Sequence, residues 1–197
     1  MFLKSESDLI LASTSTYRRD LLARLGIRFE PASPGLDETA QPGESPRRLV
    51  GRLARAKAEA VGLHRPDAWV IGSDQAAACG GQILGKPLTR TRCIQQLRAC
   101  SGRRVRFLTA VALLQVRSGR CYAALDVTTV HFRRLDPASI RRYVDREHPL
   151  DCAGGFKSEG LGITLFKSIE STDPTALIGL PLIALSQLLR RAGFTLP

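Results

Sequence analysis

Two long apolar segments, RRVRFLTAVALLQV (103–116) and CYAALDVTTVHFRR (121–134), flank the polar turn RSGR. Runs of that length, rich in Val, Leu, Thr and Phe and separated by a glycine-containing turn, read as a long antiparallel hairpin. The hairpin puts a sheet at the middle of the chain, and the flanking segments alternate between strand and helix patterns. Upstream, DLILA (8–12) is a short apolar strand that runs into STST and then YRRDLLARL, whose leucines recur at helical spacing until Gly26. IRFEPA (27–32) predicts a second strand, and SPGLDETAQPGE (33–44) can only be a long loop. Ser45 and Pro46 open a helix to about Leu63 with a buried stripe of Leu49, Val50, Leu53, Ala54, Ala58 and Val61. AWVIGSD (68–74) predicts a strand ending in an acid, followed by a hairpin in QAAACGGQILGKP (75–87). Helices are predicted over Thr89–Cys100 and from Asp136-Pro137 to near Glu147, and an amphipathic one within GLPLIALSQLLRRAGF (179–194). The glycine-rich DCAGGFKSEGLGI (151–163) suits close approach of backbone to a ligand. With no repeat, low-complexity tract or linker, residues 1–197 read as one α/β domain.

Composition narrows the class. Hydrophobic residues at 44% and charged residues at 24% allow a core that needs neither disulfides nor a structural metal. The opening MFLKSESDLILAS has too short an apolar stretch for a secretory signal, and no run reaches bilayer length, so a soluble cytoplasmic protein without a membrane partner is expected. The five cysteines are odd in number and lack CxxC spacing, which fits a reducing compartment and a role as small buried apolar residues. His64, His131 and His148 offer no zinc-binding pair at helical spacing. A net charge of +11 attracts nucleic acid, anionic membranes or phosphorylated small molecules without choosing among them. The 6% of aromatic residues, with no basic-aromatic interleaving, argues against a surface that stacks bases.

Four features carry candidate chemistry. The STST turn sets hydroxyls and backbone N–H groups at a helix N-terminus, with Arg18 and Arg19 next in line; it either binds an anion or caps the helix. It is neither a Walker loop nor a dinucleotide fingerprint. Asp74 ends an apolar run, where burial raises a carboxyl pKa and suits it to accept a proton, while cations lower it again; the alternative is a plain strand-end turn residue. Lys57 continues the row of Leu49 and Leu53, and by itself such a lysine favours snorkelling from the core edge over pointing into a cleft. Lys86 sits in a Gly-Lys-Pro corner, held toward a phosphate or simply exposed in a turn.

The order of these features matters more than any one of them. LILASTSTYRRDLL (9–22), DE (37–38), RLARAKA (52–58), VIGSDQ (70–75), ILGKPLT (83–89), EHPLDCAGGFKSEGLGI (147–163) and GLPLIAL (179–185) occur in the sequence and spacing of the Maf family, which the chain resembles along nearly its whole length. The resemblance implies a mixed, strongly curved sheet flanked by helices, in two lobes around a central cleft, as in the ITPases. It implies a homodimeric nucleoside triphosphate pyrophosphatase, and GSDQ and GFKSEG are similar to the branch that hydrolyses 7-methyl-GTP. It implies Asp74 as the proton acceptor and Ser13, Arg18, Lys57 and Lys86 as phosphate-binding residues. Glu38 joins them in the cleft and, with Asp74, would hold a divalent cation, Mg²⁺ or Mn²⁺. Tyr17, Gln75 and Glu159 fall where base preference is set. The chain departs from the family pattern with Thr16 in place of a usual proline and Gly155 where serine is frequent. Competing expectations are the branch acting on dTTP, UTP or modified pyrimidine nucleotides, and a non-enzymatic basic protein that binds nucleic acid or regulates cell division.

Overall fold

The computed structural model describes residues 8–197; residues 1–7, part of the stretch read above for a secretory signal, lie outside it. In chain order it contains β1 (Leu9–Ala12), α1 (Thr16–Ala23), β2 (Glu30–Ala32), α2 (Pro46–Gly62), β3 (Trp69–Cys79), β4 (Gln82–Leu84), α3 (Arg90–Cys100), β5 (Arg104–Gln115), β6 (Arg120–Phe132), α4 (Pro137–Glu147), β7 (Phe166–Glu170) and α5 (Leu182–Ala192). Short 3-10 turns at Ala153–Gly155, Leu161–Leu165 and Ala176–Ile178 punctuate the last third. The helix starts follow from the sequence. Ser45, Thr89 and Asp136 each accept a bond from the backbone N–H three residues on, and Pro46 and Pro137 occupy first-turn positions where a missing N–H costs nothing.

The seven strands form one mixed sheet in the order β2-β1-β3-β5-β6-β7, with β4 also on β3. β1 runs parallel to β2 and β3, and all other pairings are antiparallel. β5 and β6 are the expected hairpin. Two expectations need correction, and one strand gives little signal in the sequence. Only Glu30–Ala32 of the 27–32 segment pairs as a strand. β3 does not stop at Asp74: Ala76, Ala77 and Ala78 continue the ladder on β5, so Asp74 lies mid-strand opposite Ala110. β7 was not read from the sequence; FKSIE has an exposed, two-sided polar pattern that gives little strand signal.

β3 organises everything else. One edge pairs continuously with β5 from Val70 to Cys79. The other pairs with β1 only through Ile71 and with β4 only from Ala77, which leaves residues 72–76 without a strand partner on that side. On one face Trp69 and Ile71 join an apolar cluster with β1, α1 and α5, while Ala77 and Cys79 join another with α3, α4 and Phe156. Between the clusters lie Ser73, Gln75 and, across on β5, Thr109. Two apolar lobes are thus separated by a polar gap, and the gap opens at the unpaired edge.

The opposite face of β3 carries α2. An added Cβ on Gly72 would lie 2.0 Å from the Ala54 carbonyl oxygen and 2.8 Å from the Ala58 nitrogen, so glycine is what lets the helix backbone lie directly on the strand. Gly72→Ala is therefore expected to push α2 off the sheet and cost about 3 kcal/mol or more of stability. Urea unfolding measures it, and a variant as stable as the parent would contradict the packing described.

Candidate active site

Lys57 is the residue through which α2 enters the site. It is 3% exposed, yet its Nζ donates to Asp74 Oδ1 at 2.7 Å and lies 2.8 Å from Glu38 Oε1. The snorkelling reading is thereby corrected: the ammonium turns inward because two carboxylates meet it there, and a buried ammonium is tolerable only when so paired. Asp74 comes from β3, Lys57 from α2 and Glu38 from the 33–44 loop. That loop is tied down by Asp37, which accepts from the Thr39 N–H and hydroxyl, and by Glu44, which takes two 2.7 Å bonds from Arg52 and one from the Gln41 N–H, and whose pKa these bonds lower to about 2, Arg52 first.

Burial raises the Asp74 pKa above the ordinary carboxylate value, opposed by the nearby cations of Lys57 and Arg18 and assisted by the charge of Glu38. Arg18 is half-buried; desolvation lowers its pKa and the charges of Asp74 and Glu38 pull it back up. Its Nε donates to the Gly179 carbonyl at 2.9 Å, which fixes the guanidinium at the cleft wall. The STST turn divides its labour. Ser15 is the helix cap, accepting from Arg18 N, and the buried Ser13 hydroxyl accepts from Ser15 N.

On the other side of the gap, Gln75 Nε2 faces three acceptors, Thr109 Oγ1 at 2.9 Å and the carbonyls of Ala176 at 2.9 Å and Leu177 at 3.0 Å. These contacts orient its amide with the nitrogen toward the loop. Burial raises the Tyr17 phenol pKa, with Lys157 beside it opposing the shift. Glu159 is exposed and accepts from Ser158 Oγ at 3.2 Å.

Ser13, Tyr17, Arg18, Glu38, Lys57, Asp74, Gln75, Lys86 and Glu159 all line one cleft of about 370 Å³. Sequence separation of up to 146 positions between the first and last of them (159 minus 13) is closed by the fold. Lys57 and Asp74 form its buried floor, whereas Lys86, Glu38 and Glu159 stand exposed at its rim. Sequence reasoning missed Asp151, Phe107 and the carbonyl-bearing turn Leu177–Gly179, which line the same cleft. The glycine-rich 151–163 segment and the GLP block were the signals nearest to them. The cleft thus brings the ammonium groups of Lys57 and Lys86 and the Arg18 guanidinium together with Tyr17, Gln75 and the carboxylates of Glu38, Asp74 and Glu159. Among the described residues no group of three or more His, Cys, Asp or Glu converges as a preformed metal cage.

The sequence profile of the Maf-like protein family matches residues 8–192. The chain is 59% identical over 189 residues to a 7-methyl-GTP pyrophosphatase of Xanthomonas oryzae pv. oryzae (strain MAFF 311018), covering 96% of this chain and 98% of that protein. A 7-methyl-GTP pyrophosphatase of Pseudomonas aeruginosa (strain PAO1) is 56% identical over 190 residues, covering 96% and 99%. In three dimensions the chain resembles the Staphylococcus aureus Ham1 protein, with a TM-score of 0.53 at 13% identity over 95% of this chain and 98% of that one, a likeness of fold.

The buried ion pair has a pH signature. Lys57→Met leaves the Asp74 carboxylate desolvated with its main partner gone, so its folded pKa rises further above the 3.8 of an unfolded carboxyl. A raised folded pKa means stability that is intact at low pH and lost as pH rises through the folded value. The deficit relative to the parent should thus be smallest near pH 4 and grow toward pH 8, approaching about 3–5 kcal/mol. Urea unfolding across that range tests it; a deficit independent of pH would remove the ion pair from the account.

Proposed function

The chain belongs to the Maf family, and on that premise we propose that its cleft takes 7-methyl-GTP and hydrolyses it to 7-methyl-GMP and diphosphate. The observation that carries the reading is that Lys57 and Arg18 stand beside the buried Asp74 in the same cleft as Lys86, Tyr17, Gln75 and Glu159. The triphosphate lies along the cations, with the Ser13 hydroxyl and the start of α1 adding neutral donors. Asp74 takes a proton from the attacking water as its oxygen bonds to the α-phosphorus. The bond from that phosphorus to the bridging oxygen breaks, and the electron pair leaves on diphosphate. Lys57, Arg18 and Lys86 stabilise the charge that builds there, in a partly desolvated site where such charges act strongly. Raised by burial, Asp74 is the better base for its position.

The donor set also suits a divalent cation. Glu38 and Asp74 both lie against the Lys57 ammonium, so two hard carboxylates are close neighbours at the cleft, and Mg²⁺ or Mn²⁺ is commonly held by one or two carboxylates plus substrate phosphates. When bound by these two residues it would neutralise phosphate charge and polarise the reacting phosphoryl group.

Base preference follows from charge and hydrogen-bond pattern. Methylation at N7 makes the guanine ring cationic, and the Tyr17 face attracts such a ring by about 0.5–2 kcal/mol. Glu159 accepts the N1 and N2 protons of its Watson–Crick edge, which a pyrimidine does not present. The same reading takes the enzyme as a cytoplasmic homodimer that binds no nucleic acid.

Two variants test it. Asp74→Asn should lower turnover by about 10²–10⁴-fold, measured as diphosphate release, while equilibrium dialysis still finds nucleotide bound; a fully active variant refutes the assignment. Glu159→Gln should lower the ratio of 7-methyl-GTP to UTP hydrolysis in a nucleotide panel that includes dTTP, and an unchanged ratio would exclude Glu159 from base recognition.

A further inference from the structure

The mechanism leaves two buried carboxylates unused. Asp173 is 3% exposed and Asp126 is 7% exposed, and neither forms an ion pair among the described residues. A desolvated carboxylate without a cation is costly unless hydrogen bonds satisfy it; Asp173 ties the loop that carries it to α5, and Asp126 reaches the same loop through one oxygen. Asp173 Oδ1 accepts from the Thr175 N–H at 3.0 Å and from the Thr175 hydroxyl at 2.7 Å, and Oδ2 accepts from the Ile183 N–H at 2.7 Å in the first turn of α5. Thr175 Oγ1 in turn accepts from the Leu182 N–H at 2.9 Å and lies 2.8 Å from the Leu180 carbonyl. Asp126 accepts from the Thr172 hydroxyl at 2.6 Å and the Thr128 hydroxyl at 3.1 Å.

Both ends of the segment 171–181 are therefore pinned, and its middle faces the cleft. The Ala176 carbonyl accepts from Gln75 Nε2 and Thr109 Oγ1, the Leu177 carbonyl from Gln75, and the Gly179 carbonyl from Arg18 Nε and Ser73 Oγ. Carbonyls aimed inward from a turn of this kind keep their direction only while the turn keeps its shape. Gly179, at a φ of 129°, is part of that shape.

We propose that Asp173 and Thr175 are positioning residues, which set nucleotide preference and phosphate affinity by holding the 171–181 loop so that its carbonyls grip Gln75 and Arg18. Neither touches the cleft itself. Their effect passes through one residue at the base end and one at the phosphate end. The proposal rests on the function given above, since it concerns how that site discriminates.

The test compares Thr175→Val, which removes the hydroxyl at nearly constant shape, with Thr175→Ser, which keeps it. Thr175→Val should raise the KM for 7-methyl-GTP about tenfold, change kcat less, and lower the 7-methyl-GTP to UTP ratio of kcat/KM about tenfold, whereas Thr175→Ser restores all three. Leu188→Ala, in the buried face of α5, supplies a control that loses Tm without losing the ratio. In a Gln75→Ala background Thr175→Val should lower the ratio no further, because the route through Gln75 is already cut. Should Thr175→Val fail to fold, Thr172→Val, which frees one end of the loop from Asp126, carries the same expectation. A ratio unchanged in these variants, or one that falls additively with Gln75→Ala, overturns the positioning role while leaving the function standing. A parent protein that does not hydrolyse 7-methyl-GTP overturns the function first and this inference with it.

Discussion

A lysine ammonium buried between a helix and a sheet fixes the arrangement of this molecule more than any other group. Lys57 cannot lie 3% exposed unless carboxylates meet it, and the two that do arrive from β3 and from the 33–44 loop. The helix reaches β3 closely enough for this only because Gly72 has no side chain to keep it away. Packing and chemistry are thus the same contact: the approach that fills the core on that face also delivers a cation and two acids to the cleft. Such a pair adds little net stability over an apolar replacement, since both charges are desolvated. The weight of the pair therefore lies in the charges it sets in the cleft rather than in what it adds to folding.

A second constraint is the broken edge of β3. Asp74 and Gln75 point to opposite faces of the sheet, as neighbours on a strand must, and would ordinarily serve different surfaces. They share a cleft because β1 ends before them and β4 begins after them, so a ligand at the edge is reached from both faces. The cleft also lies beyond the carboxyl end of β1, a parallel strand leading into α1, which is the usual place for ligands in open α/β sheets. On the proposed reading the proton acceptor and the base-facing amide are adjacent in sequence, and the strand's alternation separates their duties.

Much of this was legible from residues alone. The β5–β6 hairpin, the capped helices α2, α3 and α4 and the Gly-Leu-Pro entry to α5 are written in local patterns that tertiary contacts did not override. The failures have physical causes. Asp74 looked like a strand end because an acid in an apolar run usually marks one; the ladder on β5 carries the strand past it, and a tertiary partner, Lys57, seventeen positions earlier, pairs the acid in mid-strand. Lys57 itself looked like a snorkelling residue for the same reason, as each member of the pair is intelligible only with the other. β7 and the 171–181 loop gave no periodic signal, because their structure resides in pairing with β6 and in hydrogen bonds to Asp126 and Asp173. The nine cleft residues were found through family resemblance, and spacing alone would have supplied a few of them.

The net charge of +11 takes on a narrower meaning beside this geometry. Several arginines are already matched on the surface, as Arg90 is with Asp145 and Arg117 with Asp67, and such exposed pairs contribute little to stability. The surplus forms a long-range field rather than a binding surface. A substrate carrying several negative charges is drawn toward such a field, with on-rates raised by roughly 10–10³ at low salt. Discrimination cannot come from that field, which treats every triphosphate alike. It has to come from short-range contacts inside the cleft, and on the proposed reading, in which Tyr17, Gln75 and Glu159 meet the base, the rigidity of the loop behind Gln75 matters more to selectivity than any of the surface charges.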